Sequence, residues 1–205
     1  MRYGCFLRDF PLFFSLFRSG SQDRKWLKNA CHVGGFPAHL RPMMTKVLFI
    51  CMGNICRSPS AEGVFRHLIN DAGLSRLIGV DSAGTHDYHV GEAPDARAQA
   101  AARKRGYDIS HQRARQVTSQ DFQDYDLVLA MDWENLTALK QVCPRAYQHK
   151  LRLLMSFANE HEEATVPDPY YGGPEGFGKT LDYIEDACQG MLDFLRKRVT
   201  QYQAA

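Results

Sequence analysis

The sequence predicts an α/β fold: a single domain on a four-stranded parallel sheet, with helices on both faces and a phosphate-binding loop between the first strand and the first helix. Three observations predict it. Short apolar runs rich in strand formers recur along the chain, at 47–50, 78–82, 127–131 and 151–157. Stretches of helical periodicity separate them, and strands that alternate with helices assemble as a parallel sheet covered on both sides. The first run passes directly into a tight loop and a helix start, Cys51 to Glu62. That loop stands at the carboxyl end of a strand, where open α/β sheets hold their ligands.

The domain is expected over residues 45–205. Residues 1 to 44 do not share its pattern: the apolar run from Phe10 to Phe17 contains Pro11 and is far short of the ~20 apolar residues that span a bilayer. They are expected to be an extension, disordered or a misassigned start, with Met43 or Met44 opening the domain ahead of the first strand. After the loop, a helix is expected to start with Pro59 at its first position, where its missing N–H goes unmissed, and with Glu62 facing the helix dipole. It continues through Asn70 with Val64, Phe65, Leu68 and Ile69 on one face, and Gly73 stops it. The second strand ends in Ala83-Gly84-Thr85, and a loop from His86 to Pro94 follows. Asp95 caps a helix over 96–105 that Gly106 ends. After the third strand Asp132 caps a helix through Leu139, and a long amphipathic helix from Phe177 to Tyr202 closes the chain.

The chemistry is written in the stretch Lys46 to Glu62, KVLFICMGNICRSPSAE. A strand, a tight loop and a helix N-terminus make an anion site, because successive backbone N–H groups converge there. The loop N–H groups of Met52, Gly53, Asn54, Ile55, Cys56, Arg57 and Ser58 are the expected phosphate ligands, with Gly53 and Asn54 able to adopt the left-handed backbone of such a bowl. Cys51 opens the loop and Arg57 closes it. A thiol facing N–H donors, a helix N-terminus and a guanidinium is favoured as the thiolate nucleophile. Arg57 offers a planar fork for two phosphate oxygens. Ser58 can hydrogen-bond the sulfur and stabilise it as a leaving group. Asn54 and Ser82 are expected to tie the loop to the second strand. Asp168, before Pro169 in a Gly-flanked loop, is a candidate general acid. Cys56 either packs or forms a disulfide with Cys51 under oxidation. A zinc site would need further ligands at comparable spacing, and Cys143 and Cys188 are each isolated, so no metal is expected.

Composition sets the remaining bounds. The 44% hydrophobic and 23% charged residues describe a globular chain, neither disordered nor membrane-embedded. A net charge of +2 gives no broad basic field, so neither nucleic acid nor membrane is an expected partner. Six cysteines in a chain of this length, one of them placed for nucleophilic work, argue for a reducing compartment, so the cytoplasm is the expected location.

The string from Cys51 to Glu62 meets, without a departure, the form C-x-G-N-x-C-R-S-P-x-A-E of the low-molecular-weight protein-tyrosine phosphatases, and the chain resembles that family from Thr45 to about Gln203. Asp168-Pro169-Tyr170-Tyr171-Gly172-Gly173 and Asp81-Ser82-Ala83-Gly84-Thr85 resemble two further motifs of the family. The resemblance implies hydrolysis of protein phosphotyrosine through a phosphocysteine, with Cys51 as nucleophile, Arg57 as phosphate clamp and Asp168 as general acid and base. It implies inorganic phosphate as product, no cofactor, and a substrate pocket at Asp87, Tyr88 and Tyr170. It also supports a reversible Cys51–Cys56 lock. A monomer is the default expectation. His111 is left out of the site, since the family's supporting histidine does not align clearly. Three rivals stay open. A protein-arginine phosphatase tends to carry Thr where this chain has Ile55, an arsenate reductase needs two further cysteines in a mobile segment, and a non-catalytic phosphopeptide-binding or redox-sensing module is expected to lose Cys51, Arg57 or Asp168.

Overall fold

The computed structural model describes residues 44–170 and 173–203. The expectation for the extension, up to residue 43, lies outside the described residues, as do Tyr171 and Gly172 of the glycine-rich turn. From Thr45 the chain alternates strand and helix. Strand β1 (Thr45–Cys51) leads through the loop into α1 (Arg57–Asp71), followed by β2 (Ile78–Gly84) and α2 (Ala96–Lys104). A single turn, α3 (Asp121–Asp124), precedes β3 (Leu127–Ala130), and α4 (Trp133–Val142) follows it. A 3-10 turn over Arg145–Lys150, the edge strand β4 (Leu151–Leu153), a second 3-10 turn over Leu154–Phe157 and the long α5 (Pro174–Gln203) complete the fold.

The strands lie in the order β2-β1-β3-β4 and every pairing is parallel. Alternation along β1 divides the core. Val47, Phe49 and Cys51 pack with Ala61, Val64, Phe65 and Ile69 of α1 and with Leu181, Ile184, Met191 and Leu195 of α5. Leu48 and Ile50 pack on the other face with Phe122, Leu136 and Leu139. Burial on both faces is why β1 reads as an unbroken apolar run rather than an alternating one. Phe49 and Phe65 meet edge to face, ring centroids 5.9 Å apart, and lock α1 on the strand that carries Cys51.

Two local expectations are corrected. Helix α1 begins at Arg57, so Pro59 is its third residue and Glu62 lies beyond the first turn. Pro59 still falls among the helical residues whose N–H has no partner within the helix. The fourth apolar run is a strand only through Leu153. The chain then crosses from one face of the sheet to the other: Leu151 and Leu153 belong to the α4 side, whereas Leu154 and Met155 are buried on the α5 side. The 3-10 turn makes that crossing, with the Ser156 hydroxyl donating to the Leu153 carbonyl at 2.7 Å.

Candidate active site

The loop after β1 is held by its own asparagine. Asn54 has φ 56°, the one positive φ at a non-glycine among the described residues. An L-residue there is disfavoured unless local hydrogen bonds hold it, and both polar atoms of the Asn54 side chain are engaged. Its Nδ2 donates to Ser58 Oγ at 3.0 Å and to Ser82 Oγ at 2.9 Å, and its Oδ1 accepts the Arg115 N–H at 2.9 Å. The Ser82 hydroxyl in turn donates to Glu62 Oε2 at 2.7 Å, and the other oxygen of this buried carboxylate accepts from Arg66. Gly53 does not share the left-handed conformation expected of it. Its missing side chain matters for space: a Cβ there would lie 2.9 Å from Cδ2 of His89.

The end of β2 clamps the loop from the side. The Thr85 N–H donates to the Cys51 carbonyl at 2.9 Å and the His86 N–H to the Met52 carbonyl at 3.0 Å. That approach requires Gly84, because a Cβ there would meet the Met52 carbonyl at 2.7 Å and the His86 carbonyl at 2.9 Å.

Donors and charge converge on the sulfur. Cys51 Sγ lies 3.1 Å from Ser58 Oγ and accepts the Asn54 N–H at 3.3 Å. Arg57 is 3% exposed and its guanidinium is held on two sides. Nη1 donates to Asp132 Oδ2 at 2.6 Å and to the Val166 carbonyl at 3.3 Å, and Nη2 donates to Asp168 Oδ2 at 2.6 Å. Asp168 Oδ1 accepts the Tyr170 N–H at 3.0 Å. The strand order brings these groups together. With β1 between β2 and β3, and α1 and α4 on opposite faces, the connections leaving β1 and β3 diverge and open a crevice at the topological switch point.

A cleft of about 290 Å³ opens over the sulfur, lined by Cys51, Met52, Gly53, Ile55, Cys56, Arg57, Tyr88, His89, Asp168 and Tyr170. Tyr88 and Tyr170 stand exposed among these lining residues, Tyr88 stacked on His86 with ring centroids 5.0 Å apart. Cys51 and Cys56 are both free thiols. Burial, seconded by the nearby Asp95 carboxylate, pushes the Cys56 thiol up to about 12. Among the described residues no group of three or more His, Cys, Asp or Glu side chains is arranged to hold a metal ion. No described helix is long and apolar enough to cross a membrane.

The family model described as low molecular weight phosphotyrosine protein phosphatase matches residues 46–201. The chain belongs to that family. A low molecular weight protein-tyrosine-phosphatase of Streptomyces coelicolor is 44% identical over 160 residues, covering 77% of this chain and 97% of the relative. The human low molecular weight phosphotyrosine protein phosphatase is 40% identical over 149 residues, covering 72% of this chain and 93% of the relative. The crystal structure of a protein tyrosine phosphatase from Entamoeba histolytica with Hepes in its active site superposes with a TM-score of 0.73 at 40% identity, covering 75% of this chain and 97% of that one.

In this member of the low molecular weight family, three site features depart from what the sequence suggests. Asp87 is exposed and does not line the cleft; His89 lines it instead, its Nδ1 2.7 Å from Glu92 Oε2. Asp132 caps α4 as expected, its Oδ1 accepting the Asn135 N–H at 2.7 Å, but its second oxygen holds Arg57. Its place at the carboxyl end of β3, on the same sheet edge as Cys51, was the available signal. In the segment after α2, His111 is exposed; the Arg115 N–H reaches Asn54 of the loop, and Gln112 Nε2 donates to the Pro59 carbonyl in the first turn of α1 at 3.1 Å.

Proposed function

We propose that the chain hydrolyses phosphotyrosine in proteins through a phosphocysteine formed on Cys51. The observation that carries this reading is the meeting of three groups in one cleft: the Cys51 sulfur among hydrogen-bond donors, the buried Arg57 fork, and the Asp168 carboxyl that Arg57 holds at 2.6 Å. The Cys51 thiolate attacks phosphorus and the bond to the phenolic oxygen breaks. Arg57 and the N–H groups of the loop from Met52 to Ser58 hold the equatorial oxygens, supplying the charge stabilisation without a metal or cofactor. Asp168 gives its proton to the departing phenol. In the second step the Asp168 carboxylate takes a proton from water, the oxygen attacks phosphorus, and the sulfur leaves as a thiolate that accepts the Ser58 hydroxyl proton in a hydrogen bond. Inorganic phosphate is released.

Asn54 and Ser82 hold the loop in shape, and Tyr88 and Tyr170 are the walls for the substrate ring. The apolar Ile55 in the cleft lining supports an aromatic ester over a charged guanidinium. Cys56 is assigned the role of resolving an oxidised Cys51 as a disulfide. We take 45–205 as the domain, since the buried core begins at Val47. Every residue given a role comes from one copy, so a monomer suffices. A reducing compartment such as the cytoplasm suits this reading, because the nucleophile has to be kept as a thiolate. Initial rates on phosphotyrosine, phosphoserine and phosphoarginine peptides and on arsenate test the reading. Turnover should favour phosphotyrosine, and Cys51→Ser should abolish it while inorganic phosphate still binds. Appreciable turnover by Cys51→Ser, or a preference for phosphoarginine or arsenate, would defeat it.

A further inference from the structure

Asp168 has two holds. Its Oδ2 meets Arg57 and its Oδ1 accepts the Tyr170 N–H at 3.0 Å. In the reading proposed above, a phosphoryl group takes the Arg57 fork, so the contact with Tyr170 is the one that stays with the carboxyl during reaction. Where Tyr170 stands therefore decides where the proton is delivered. The chain before it is anchored by the Val166 N–H on the Met131 carbonyl at 2.8 Å and by the Thr180 hydroxyl on the Pro167 carbonyl at 3.0 Å. Those anchors end one residue short of Asp168.

Arg97, at the start of α2, reaches across to Tyr170. Its Nη1 donates to the Tyr170 carbonyl at 3.2 Å, and its guanidinium lies over the Tyr170 ring at 5.4 Å and over the Phe177 ring at 4.9 Å. The rest of the fork is fixed on Asp95, Nε to Oδ1 at 3.0 Å and Nη2 to Oδ2 at 2.8 Å. Asp95 is itself tied to the phosphate loop, its N–H donating to the Ile55 carbonyl at 2.8 Å. The guanidinium thus spans the loop that carries the nucleophile and the loop that carries the acid. The Arg97 side chain is 45% exposed, and an ion pair that open to water contributes little to folding. A planar group clamped on three sides does define a distance and an angle.

We propose that Arg97 is a positioning residue for Asp168: it fixes the Tyr170 peptide against the phosphate loop, and so aims the carboxyl at the leaving oxygen. The proposal rests on the assignment of Asp168 as general acid. It makes a claim that a merely structural role does not make. Loss of Arg97 must harm poor leaving groups, which need the proton, and spare good ones, which do not.

The test is the pre-steady-state burst of phenol release over a series of aryl phosphates of rising leaving-group pKa. The proteins compared are the full-length wild type, Arg97→Met, Arg97→Lys, Asp168→Asn and the double variant Arg97→Met with Asp168→Asn. Arg97→Met should slow the burst on phosphotyrosine by about tenfold, as for a misplaced catalytic group. It should leave nitrophenyl phosphate and inhibition by inorganic phosphate nearly unchanged. Arg97→Lys, which keeps the charge and loses the fork, should behave like Arg97→Met. In the double variant the Arg97 change should add nothing to Asp168→Asn. Equal slowing for all leaving groups, full activity in Arg97→Lys, or additive losses in the double variant would each overturn the positioning role while Asp168→Asn still steepens the leaving-group dependence. If Asp168→Asn itself leaves that dependence unchanged, the acid assignment falls and this proposal with it.

Discussion

At the scale of single residues, Asn54 shows how one side chain can be asked for two things. Its backbone takes a conformation that is unfavourable for an L-residue, and its amide makes three hydrogen bonds that keep it there. Replacement separates the two. Asn54→Gly keeps the φ at no steric cost and loses the amide, leaving Ser82, Ser58 and the Arg115 N–H short of a partner, a loss of roughly 1–3 kcal/mol. Asn54→Ala loses the amide and also strains the backbone, by about a further 1 kcal/mol. Urea denaturation should therefore rank wild type above Asn54→Gly above Asn54→Ala, and both variants should lose most of their turnover. Equal stability of the two variants would mean that the positive φ carries no strain. The sequence identified Asn54 as a left-handed residue and a tie to Ser82, because Asn between Gly and Ile in a tight loop admits few other readings. It placed Gly53 in the same conformation, because glycine permits any φ and so reveals none. Only the fold brings His89, 36 positions on by the numbering, to where a side chain at Gly53 would meet its ring.

At the scale of elements, the end of β2 acts as a splint for the phosphate loop, and Gly84 is where the two touch. Gly84→Ala drives a Cβ against backbone atoms that cannot move without breaking the Thr85–Cys51 and His86–Met52 bonds. It should lower stability by roughly 1–3 kcal/mol, as overpacking does, and weaken inhibition by inorganic phosphate. Gly79, at the other end of the same strand, is the control. A Cβ there meets only side chains, the Met44 sulfur at 3.1 Å and Lys46 Cγ at 3.7 Å, so Gly79→Ala should change phosphate inhibition little. Comparable losses in both would show that the strand, and not its contact with the loop, is what alanine disturbs. The regular elements were legible because their signals are local. A buried strand shows as an apolar run, and a helix shows caps such as Asp95 and Asp132. The end of β4 was not legible. Leu154 and Met155 are as apolar as Leu151 and Leu153 before them, and only the tertiary structure assigns them to the opposite face.

At the scale of the whole molecule, stability should fail from the alkaline side through groups that keep their protons in the fold. Burial, with Asp95 next, pushes Cys56 from 9.0 up to about 12. Burial, with the hydrogen bond to Glu185, pushes Tyr107 from 10.0 up to about 12. Burial also raises Cys188, and burial with the Asp81 hydrogen bond raises Tyr125. Above pH 9 the unfolded chain releases these protons first, so it binds fewer than the native state and unfolding becomes easier as pH rises. The contribution is complete below pH 9 and is lost on the way to about 12. The urea midpoint should fall steadily over that window, and Cys56→Ser or Tyr107→Phe should each flatten the fall. A midpoint independent of pH there would contradict the assigned burial. The acid half of the site was legible only in part. Asp168 stood out beside Pro169, whereas Asp132 looked like a cap and nothing more, because its partner Arg57 is 75 positions away in sequence and adjacent only once β1 and β3 pair.

The ties around Ser58 leave its hydroxyl proton two places to go. Asn54 Nδ2 already donates to the Ser58 oxygen, so the proton turns either to the Ala83 carbonyl at 3.3 Å or to the Cys51 sulfur at 3.1 Å. A neutral thiol can itself donate to Ser58 and send the hydroxyl to Ala83; a thiolate draws it back. The hydroxyl is then a two-position rotor whose setting records the charge on the nucleophile, and the record is written without displacing a heavy atom. Structures of the two charge states should superpose atom for atom, and neutron diffraction or the O–H stretch would tell them apart where X-ray maps would not.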